Sequence, residues 1–169
     1  VARELALDFA ENGIQPSSIV HATGSGGTQA GLILGCKIHN INTAVIGFAV
    51  CDDEKYFIQK ISTDIDGWCR LNFWDGKITD SDIQVIDSYK KPRYGICPPE
   101  VKQCIQMLGA LEGIILDPVY TGKAFYGMLK EIEFGRFDNA ADIVFIHTGG
   151  IFGLFAQHKS FKLKKENIV

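Results

Sequence analysis

The sequence predicts an α/β fold in three layers, with helices on both faces of a mainly parallel sheet. Residues 43–50 and 142–147 are apolar runs that are too short for helices and rich in β-branched side chains, which is typical of strands buried on both faces. Helical patterns alternate with these runs along the chain, as they do in parallel sheets. Glycine-rich segments follow residues 19–22 and 142–147, and ligands of α/β proteins bind beyond such strand ends.

The other elements follow from local spacing and end signals. Helices are predicted over residues 1–12, 28–39, 98–111 and 121–133, with a further helix that begins near residue 51. Shorter apolar runs predict strands over residues 19–22 and 83–86. Residues 62–82 have mixed spacing and predict no single element. The basic residues 90–95 predict a solvated loop or, alternatively, a loop that faces substrate, and residues 162–165 predict a solvated tail.

Three helices carry specific packing predictions. Glycines recur every four residues in the second helix and predict close packing against a neighbouring element: Gly27, Gly31 and Gly35. Asp52 or Asp53 is the expected N-cap of the third helix. The side chains expected to face the core are Tyr56, Phe57 and Ile61 in that helix, and Ala124, Met128 and Ile132 in the last one.

Composition argues against several classes of protein. The 169 residues are 46% hydrophobic and 22% charged, which suits a soluble domain with one buried core. A net charge of −3 predicts no nucleic-acid partner, and no stretch approaches the roughly 20 apolar residues of a membrane span. Five cysteines without a CxxC pair predict free thiols in a reducing cytoplasm. No metal site is expected, and His21 and His147 are expected to be packed or hydrogen-bonded rather than catalytic.

Residues 21–28, His-Ala-Thr-Gly-Ser-Gly-Gly-Thr, join a predicted strand to a predicted helix. Backbone N–H groups in such a loop, together with the helix N-terminus, suit an anion such as phosphate. The candidate ligands are Gly24, Ser25, Gly26, Gly27 and Thr28. The loop lacks the ending of a P-loop and the GxGxxG spacing of a dinucleotide site, so a single phosphate is favoured. An ordinary turn, in which the glycines serve only the bend, is the alternative.

Two further segments place polar residues where a ligand would lie. Thr148 and Gly149 follow the last predicted strand, so we expect them at the same sheet edge as the first loop. Residues 117–123 carry Tyr120, which could present its phenol to a ligand, and Thr121, which could cap the helix that begins there. The alternative for this segment is a capped turn with a packed tyrosine.

Three segments together resemble one enzyme family. They are residues 21–31 (His-Ala-Thr-Gly-Ser-Gly-Gly-Thr-Gln-Ala-Gly), residues 116–124 (Leu-Asp-Pro-Val-Tyr-Thr-Gly-Lys-Ala) and residues 145–154 (Phe-Ile-His-Thr-Gly-Gly-Ile-Phe-Gly-Leu). They are similar to the pyridoxal-phosphate enzymes grouped as D-cysteine desulfhydrase and 1-aminocyclopropane-1-carboxylate deaminase. The resemblance covers nearly the whole chain and implies the tryptophan-synthase-β-like fold, known as fold type II.

The resemblance implies pyridoxal 5'-phosphate as cofactor and a small amino acid as substrate. Residues 24–28 would hold the cofactor phosphate, and Thr148 would face the pyridine nitrogen while Gly149 lets the backbone pass close to the ring. Tyr120 would be catalytic on the substrate side, with Thr121 near the ring. A cytoplasmic homodimer is the expected form of the full-length protein.

Two departures within the family bear on the reaction. The deaminases carry a glutamate after Pro-Val-Tyr, where this chain has Thr121, and their phosphate loop is closer to Thr-Gly-Ser-Thr. Both departures favour a D-cysteine desulfhydrase, which converts D-cysteine to pyruvate, sulfide and ammonia. The deaminase is the alternative, and a non-catalytic phosphate-binding module is an alternative of another class.

The resemblance also implies that part of the enzyme lies outside residues 1–169. The lysine that the family links to the cofactor belongs to an upstream Asn-Lys segment, which this chain does not contain. The chain begins at Val1 with a helical pattern already under way. We therefore expect the C-terminal half of such an enzyme, mostly its large domain, to be inactive without the upstream lysine.

Overall fold

The computed structural model describes residues 1–161, so the predicted tail at residues 162–165 lies outside the described residues. The helices are α1 (Ala2–Asn12), α2 (Gly27–Ile38), α3 (Glu54–Leu71), α4 (Pro99–Glu112), α5 (Thr121–Glu133) and α6 (Phe152–Ala156). The strands are β1 (Ser18–Thr23), β2 (Ala44–Ala49), β3 (Gln84–Ile86) and β4 (Ile143–Phe145). Every predicted helix and strand is present, and the unassigned region from residue 62 begins with the last part of α3.

The four strands form one parallel sheet in the order β3-β2-β1-β4. Along β1 the register runs from Ser18 opposite Ala44 to Thr23 opposite Ala49, and Val20 lies opposite Phe145 of β4. The carboxyl ends of β1 and β4 are therefore neighbours. As a result, the two glycine-rich loops that follow these strands leave the sheet side by side.

Helices cover both faces of the sheet, which confirms the three-layer α/β prediction. Ile19 of β1 packs in a core with residues of α1, α2 and α3, including Phe57. Its neighbour Val20 points to the opposite face, where Ala124 and Met128 of α5 pack. The alternation of side chains along a strand thus lets one apolar run bury both of its faces. A third cluster joins α4 to the segment before α5.

Two end signals read from the sequence are confirmed. Gly13 ends α1 in the left-handed conformation at φ 66°, which a residue without Cβ adopts at low cost. Asp53 is the N-cap of α3, and its carboxylate accepts a hydrogen bond of 2.8 Å from the backbone N–H of Tyr56.

The prediction that residues 142–147 form a strand buried on both faces is wrong. Only Ile143–Phe145 form a strand, and its side chains are half-buried. In the described part of the chain this strand lies at the edge of the sheet and pairs with β1 alone. Val144 and Ile146 contact one core while Ile143 and Phe145 contact the other, so the apolar run has two partly covered faces.

Of the three glycines spaced four residues apart in α2, only one is required for close packing against a neighbouring element. A Cβ on Gly35 would lie 2.2 Å from the Cβ of Ala2, so α1 and α2 cross closely there. The same atom on Gly31 would meet nothing within 4 Å, and on Gly27 only the Ser25 hydroxyl at 4.0 Å. The expectation of close packing is therefore wrong for Gly27 and Gly31.

Two side chains predicted to face the core are exposed. Tyr56 is 49% exposed and Ile132 is 41% exposed. Phe57 and Ile61 are buried one turn apart, and a helix cannot turn the adjacent Tyr56 toward the same side. Ala124 and Met128 are buried as predicted, and the buried stripe of α5 ends before Ile132.

Candidate active site

The two glycine-rich loops and the turn before α5 meet at one cleft of about 520 Å³. Six of the nine predicted site residues line it: Gly24, Ser25, Thr28, Tyr120, Thr148 and Gly149. The sheet explains this convergence, because parallel strands that are neighbours deliver their following loops to the same edge. Gly26, Gly27 and Thr121 are not among the lining residues.

The first loop presents the N-terminus of α2 to the cleft. Gly26 is the N-cap at φ 87°, and no side chain caps the helix there. The first N–H groups of a helix have no intrahelical acceptor, and their dipoles favour an anion. Ser25 and Thr28 add hydroxyls beside them. Gly26 and Gly27 therefore shape the start of the helix rather than the wall of the cleft.

A buried hydrogen-bond network centred on the side-chain amide of Gln29 supports the first loop. The Thr23 hydroxyl donates to Gln29 Oε1 at 2.8 Å, and Gln29 Nε2 donates to the carbonyl of Gln84 at 2.7 Å. Gln29 is fully buried, and the network ties β1, α2 and β3 together. A Cβ on Gly47 would lie 2.1 Å from Gln29 Oε1, so only glycine leaves room for this network. The sequence reasoning missed Gln29, whose signal was a polar side chain amid small and apolar residues.

Both histidines at strand ends are held by hydrogen bonds. His21 is fully buried, its Nδ1 lies 2.9 Å from the Ala22 carbonyl, and burial lowers its pKa to about 4. Within the described residues its Nε2 has no partner. His147 Nε2 lies 2.9 Å from the Ile115 carbonyl, and its Nδ1 accepts from the N–H of Gly149 at 3.1 Å. His147 therefore positions the second loop, and His21 is a packed neutral histidine, as expected.

Asp117 builds the turn that presents Tyr120. Its carboxylate is fully buried and accepts hydrogen bonds of 2.7–2.8 Å from the backbone N–H groups of Val119, Tyr120 and Thr121 and from the Thr121 hydroxyl. The N-cap residue of α5 is Tyr120, and Asp117 supplies the side-chain acceptor for the first N–H groups, so the expectation that Thr121 is the cap is wrong. Thr121 is instead the first helical residue, and its hydroxyl also accepts from the N–H of Asp117 at 2.9 Å.

Asp117 also supports the second loop. Gly150 has φ 94°, and a Cβ on it would lie 2.8 Å from the carboxyl carbon of Asp117. The loop after β4 therefore passes directly over the turn before α5. Asp117 was inside the segment singled out from the sequence, but no sequence signal distinguished its carboxylate as the centre of both structures.

Tyr120 meets a second phenol in the cleft. Its hydroxyl hydrogen-bonds that of Tyr94, and the two rings meet edge to face with centroids 5.8 Å apart. The hydrogen bond to Tyr94, together with burial, raises the pKa of Tyr120 to about 12. Tyr94 belongs to the basic loop at residues 90–95, which therefore reaches the cleft. A Cβ on Gly24 would lie 3.0 Å from the Tyr120 ring, so this glycine lets the phenol lie over the first loop.

Cys51 completes the wall beside the first loop. Its thiol donates to the carbonyl of Gly24 at 3.4 Å, and burial raises its pKa. The thiol therefore keeps its proton and acts as a donor to the loop. Neither Tyr94 nor Cys51 was predicted as a site residue, because each is distant in sequence from the loops it contacts.

The donor set of the cleft fits a phosphorylated ligand. A helix N-terminus without a side-chain cap faces it, and Ser25 and Thr28 supply hydroxyls. No acidic side chain of the described residues lines the cleft. Thr148 places a third hydroxyl on the other loop, next to glycines that leave room for a flat group. This arrangement suits a phosphate at one end and a small ring at the other.

Comparisons with known proteins agree with this reading. The family model described as pyridoxal-phosphate dependent enzyme matches residues 1–149. The chain belongs to this family. A D-cysteine desulfhydrase of Salmonella newport is 37% identical over 161 residues, which are 92% of this chain and 47% of that protein. A Thermotoga maritima protein, named provisionally as a 1-aminocyclopropane-1-carboxylate deaminase, is 38% identical over 143 residues, 84% of this chain and 44% of that one.

A solved structure extends the comparison to the fold. A crystal structure described as that of an ACC deaminase homologue matches with a TM-score of 0.82 and 37% identity, over 95% of this chain and 48% of that one. The resemblance read from the sequence and the type II fold of pyridoxal-phosphate enzymes are therefore confirmed, and pyridoxal phosphate is the cofactor of the family. The chain spans about half the length of the relatives it matches. In residues 1–161 no helix combines the length and apolar character needed to cross a bilayer.

Proposed function

We propose that the chain is part of a D-cysteine desulfhydrase, which converts D-cysteine and water to pyruvate, sulfide and ammonia. The observation that carries this proposal is the cleft, in which an uncapped helix N-terminus, a second glycine loop and Tyr120 converge. Relatives of that name at 37% identity support it. So does Thr121, which stands where the deaminases of the family carry glutamate.

In this proposal the cofactor, when bound, draws electron density from the substrate α-carbon so that its proton becomes acidic. The amides and hydroxyls of residues 24–28 would hold the phosphate, with Gly26 and Gly27 setting the direction of the helix N-terminus. Thr148 would offer its hydroxyl to the ring nitrogen, and Gly149 would leave room for the ring beside the backbone. Thr121 supports the site through Asp117, because its hydroxyl is already committed to that carboxylate.

Tyr120 would serve the reaction as a hydrogen-bond donor. With its pKa raised to about 12, the phenol keeps its proton at neutral pH. A phenol that stays protonated suits a hydrogen bond that holds the substrate carboxylate or steadies the departing sulfur, rather than full transfer of its proton. Tyr94 would keep the hydroxyl of Tyr120 in one direction.

We further propose that residues 1–169 are the C-terminal, mostly large-domain part of a cytoplasmic homodimeric enzyme. The length of the relatives supports a longer protein, since the chain covers 44–48% of them. The cofactor lysine would then come from the other part. Lys123 does not fit that role, because its ammonium group is buried and donates to two loop carbonyls.

The second candidate is 1-aminocyclopropane-1-carboxylate deamination with the same cofactor cradle. The names of the Thermotoga maritima relative and of the solved structure favour it. A non-catalytic phosphate-binding module remains the alternative of another class, and lysine attachment of the cofactor separates it from both enzymes.

The test is an assay of the natural full-length protein with pyridoxal phosphate. D-Cysteine is expected to give sulfide and pyruvate in equal amounts, and 1-aminocyclopropane-1-carboxylate to give no 2-oxobutyrate. Formation of 2-oxobutyrate without sulfide would favour the deaminase. The 169-residue chain alone is expected to retain no lysine-bound cofactor after dialysis. An absorbance band that persists, and disappears when one of its own lysines is replaced, would contradict the proposed division of the enzyme.

A further inference from the structure

Lys123 occupies a place that is unfavourable for a cation. Its side chain is 1% exposed, and burial lowers its pKa. It is the third residue of α5, where the helix dipole opposes positive charge. None of the ion pairs among the described residues includes it. Burying an ammonium group costs free energy unless hydrogen bonds to other parts of the structure compensate for it.

The hydrogen-bond acceptors of Lys123 identify the part of the structure that its ammonium group holds. Its Nζ donates to the carbonyl of Lys90 at 3.1 Å and to the carbonyl of Arg93 at 3.0 Å. Both carbonyls belong to the loop at residues 90–95. On the far side of the loop, Gln157 Nε2 donates to the carbonyl of Gly95 at 2.8 Å. Tyr94 lies between these two attachments.

We propose that Lys123 is a positioning residue of the site: it fixes the loop at residues 90–95 so that Tyr94 stays hydrogen-bonded to Tyr120. This inference rests on the proposed function, since Tyr120 matters for a reaction only if the cleft is the active site. A lysine suits the task because its ammonium group can donate to two carbonyls at once. An apolar residue of the same length would fill the space and release both carbonyls.

Order in the loop is measured by limited trypsin cleavage after Arg93 in the natural full-length protein without added cofactor. Lys123→Met preserves the buried volume and removes the two donated hydrogen bonds. It is expected to raise the cleavage rate after Arg93 about tenfold, because cleavage follows the population of the opened loop. Cleavage after Arg70, at the end of α3, is expected to stay unchanged and serves as the internal reference.

Two further variants serve as a control and as an independent test of loop attachment. Lys130→Met removes a lysine from the same helix, where the side chain pairs with Glu133 at the surface, and is expected to leave cleavage after Arg93 unchanged. Gln157→Leu removes the attachment at Gly95 and is expected to raise cleavage as Lys123→Met does. Gln157→Leu also tests loop attachment if Lys123→Met fails to fold.

A kinetic cycle with Tyr94→Phe tests whether Lys123 acts through Tyr94. Each single variant is expected to lower kcat for sulfide release from D-cysteine about tenfold. The double variant is expected to lose no more than the larger single loss, since both changes remove the same contact. Losses that multiply to about a hundredfold would overturn the proposal, and so would equal cleavage after Arg93 in wild type and both loop variants. Absence of sulfide release from the wild-type protein would overturn the proposed function instead, and the cleavage rates would still report on the loop.

Discussion

Replacing Asp117 by asparagine changes one atom at the point where the turn of Tyr120 and the second glycine loop meet. Asp117 Oδ1 and Oδ2 each accept two hydrogen bonds, three of the four from backbone N–H groups. In Asp117→Asn one oxygen keeps its two donors, and an NH₂ group faces the other two; with the amide placed toward Thr121, the hydroxyl can turn to accept from it, and the Thr121 N–H loses its acceptor. A hydrogen bond to a charged group contributes about 1.5–3 kcal/mol, so the free energy of unfolding is expected to fall by at least that amount.

Urea unfolding of the full-length protein measures this change, with the midpoint converted through the slope of the transition. The size and shape of the side chain are unchanged, so the contact with Gly150 remains and the measurement isolates hydrogen bonding. Asp66→Asn is the matched control, because Asp66 is exposed on α3 and makes no side-chain hydrogen bond in the described residues. An unfolding free energy for Asp117→Asn within about 1 kcal/mol of wild type would refute the role given to this carboxylate.

Two other predictions concern the support beneath the first loop. His21 is buried neutral with a pKa of about 4, while the unfolded chain binds a proton below about 6.5, so the folded state is expected to lose about 3 kcal/mol as the pH falls from 6.5 to 4. His21→Gln should flatten that part of the stability profile, and an unchanged slope would contradict the prediction. Gly47→Ala should lower the unfolding free energy by about 3 kcal/mol, because its Cβ would overlap Gln29 Oε1. Gly31→Ala, whose Cβ meets nothing, should raise it by about 0.5–1 kcal/mol, and equal effects of the two alanines would contradict the packing.

The fold was accessible from the sequence because its signals are local and repeated. Apolar runs such as residues 43–50 mark central strands, and Gly13 and Asp53 mark helix ends through their own backbone and side-chain chemistry. The wrong prediction for residues 142–147 has a physical cause. Whether the strand at residues 142–147 is central or at an edge depends on strand order, and periodicity carries no information about neighbours in the sheet.

The sequence indicated the loops that line the cleft but not the residues that support those loops. Glycine-rich segments that follow strands indicated Ser25, Thr28 and Thr148. Tyr94 could not be predicted, because its loop is distant in sequence from Tyr120 and is attached to the rest of the structure by side chains such as Lys123 and Gln157. Such residues are joined by tertiary geometry and have no spacing in common with the loops they serve.

The other supports were hidden for the same reason. Gln29 bridges two strands from the first turn of α2, and Asp117 holds its own turn and lies against a loop that is a whole helix away. Gln29 therefore satisfies a donor and an acceptor from distant segments, whereas Asp117 satisfies the donors of its own turn. Residues within a glycine-rich loop are therefore easier to predict from the sequence than the distant residues that hold the loop in place.

Gly27 offers the most direct test of the proposal that the loop at residues 24–28 holds the cofactor phosphate. A side chain fits there, since a Cβ on Gly27 would meet only the Ser25 hydroxyl at 4.0 Å. Aspartate in the first turn of a helix is favourable for the helix itself, so Gly27→Asp should leave the protein folded. It would place a negative charge beside the phosphate, and Gly27→Asn supplies the same shape without the charge.

Equilibrium binding of pyridoxal phosphate to the full-length wild type and both variants, measured by dialysis, is the decisive measurement. Gly27→Asp is expected to bind at least tenfold more weakly than Gly27→Asn, although its folded state is expected to be at least as stable. Equal affinities of Gly27→Asp and Gly27→Asn would contradict the assignment of this loop to the cofactor phosphate.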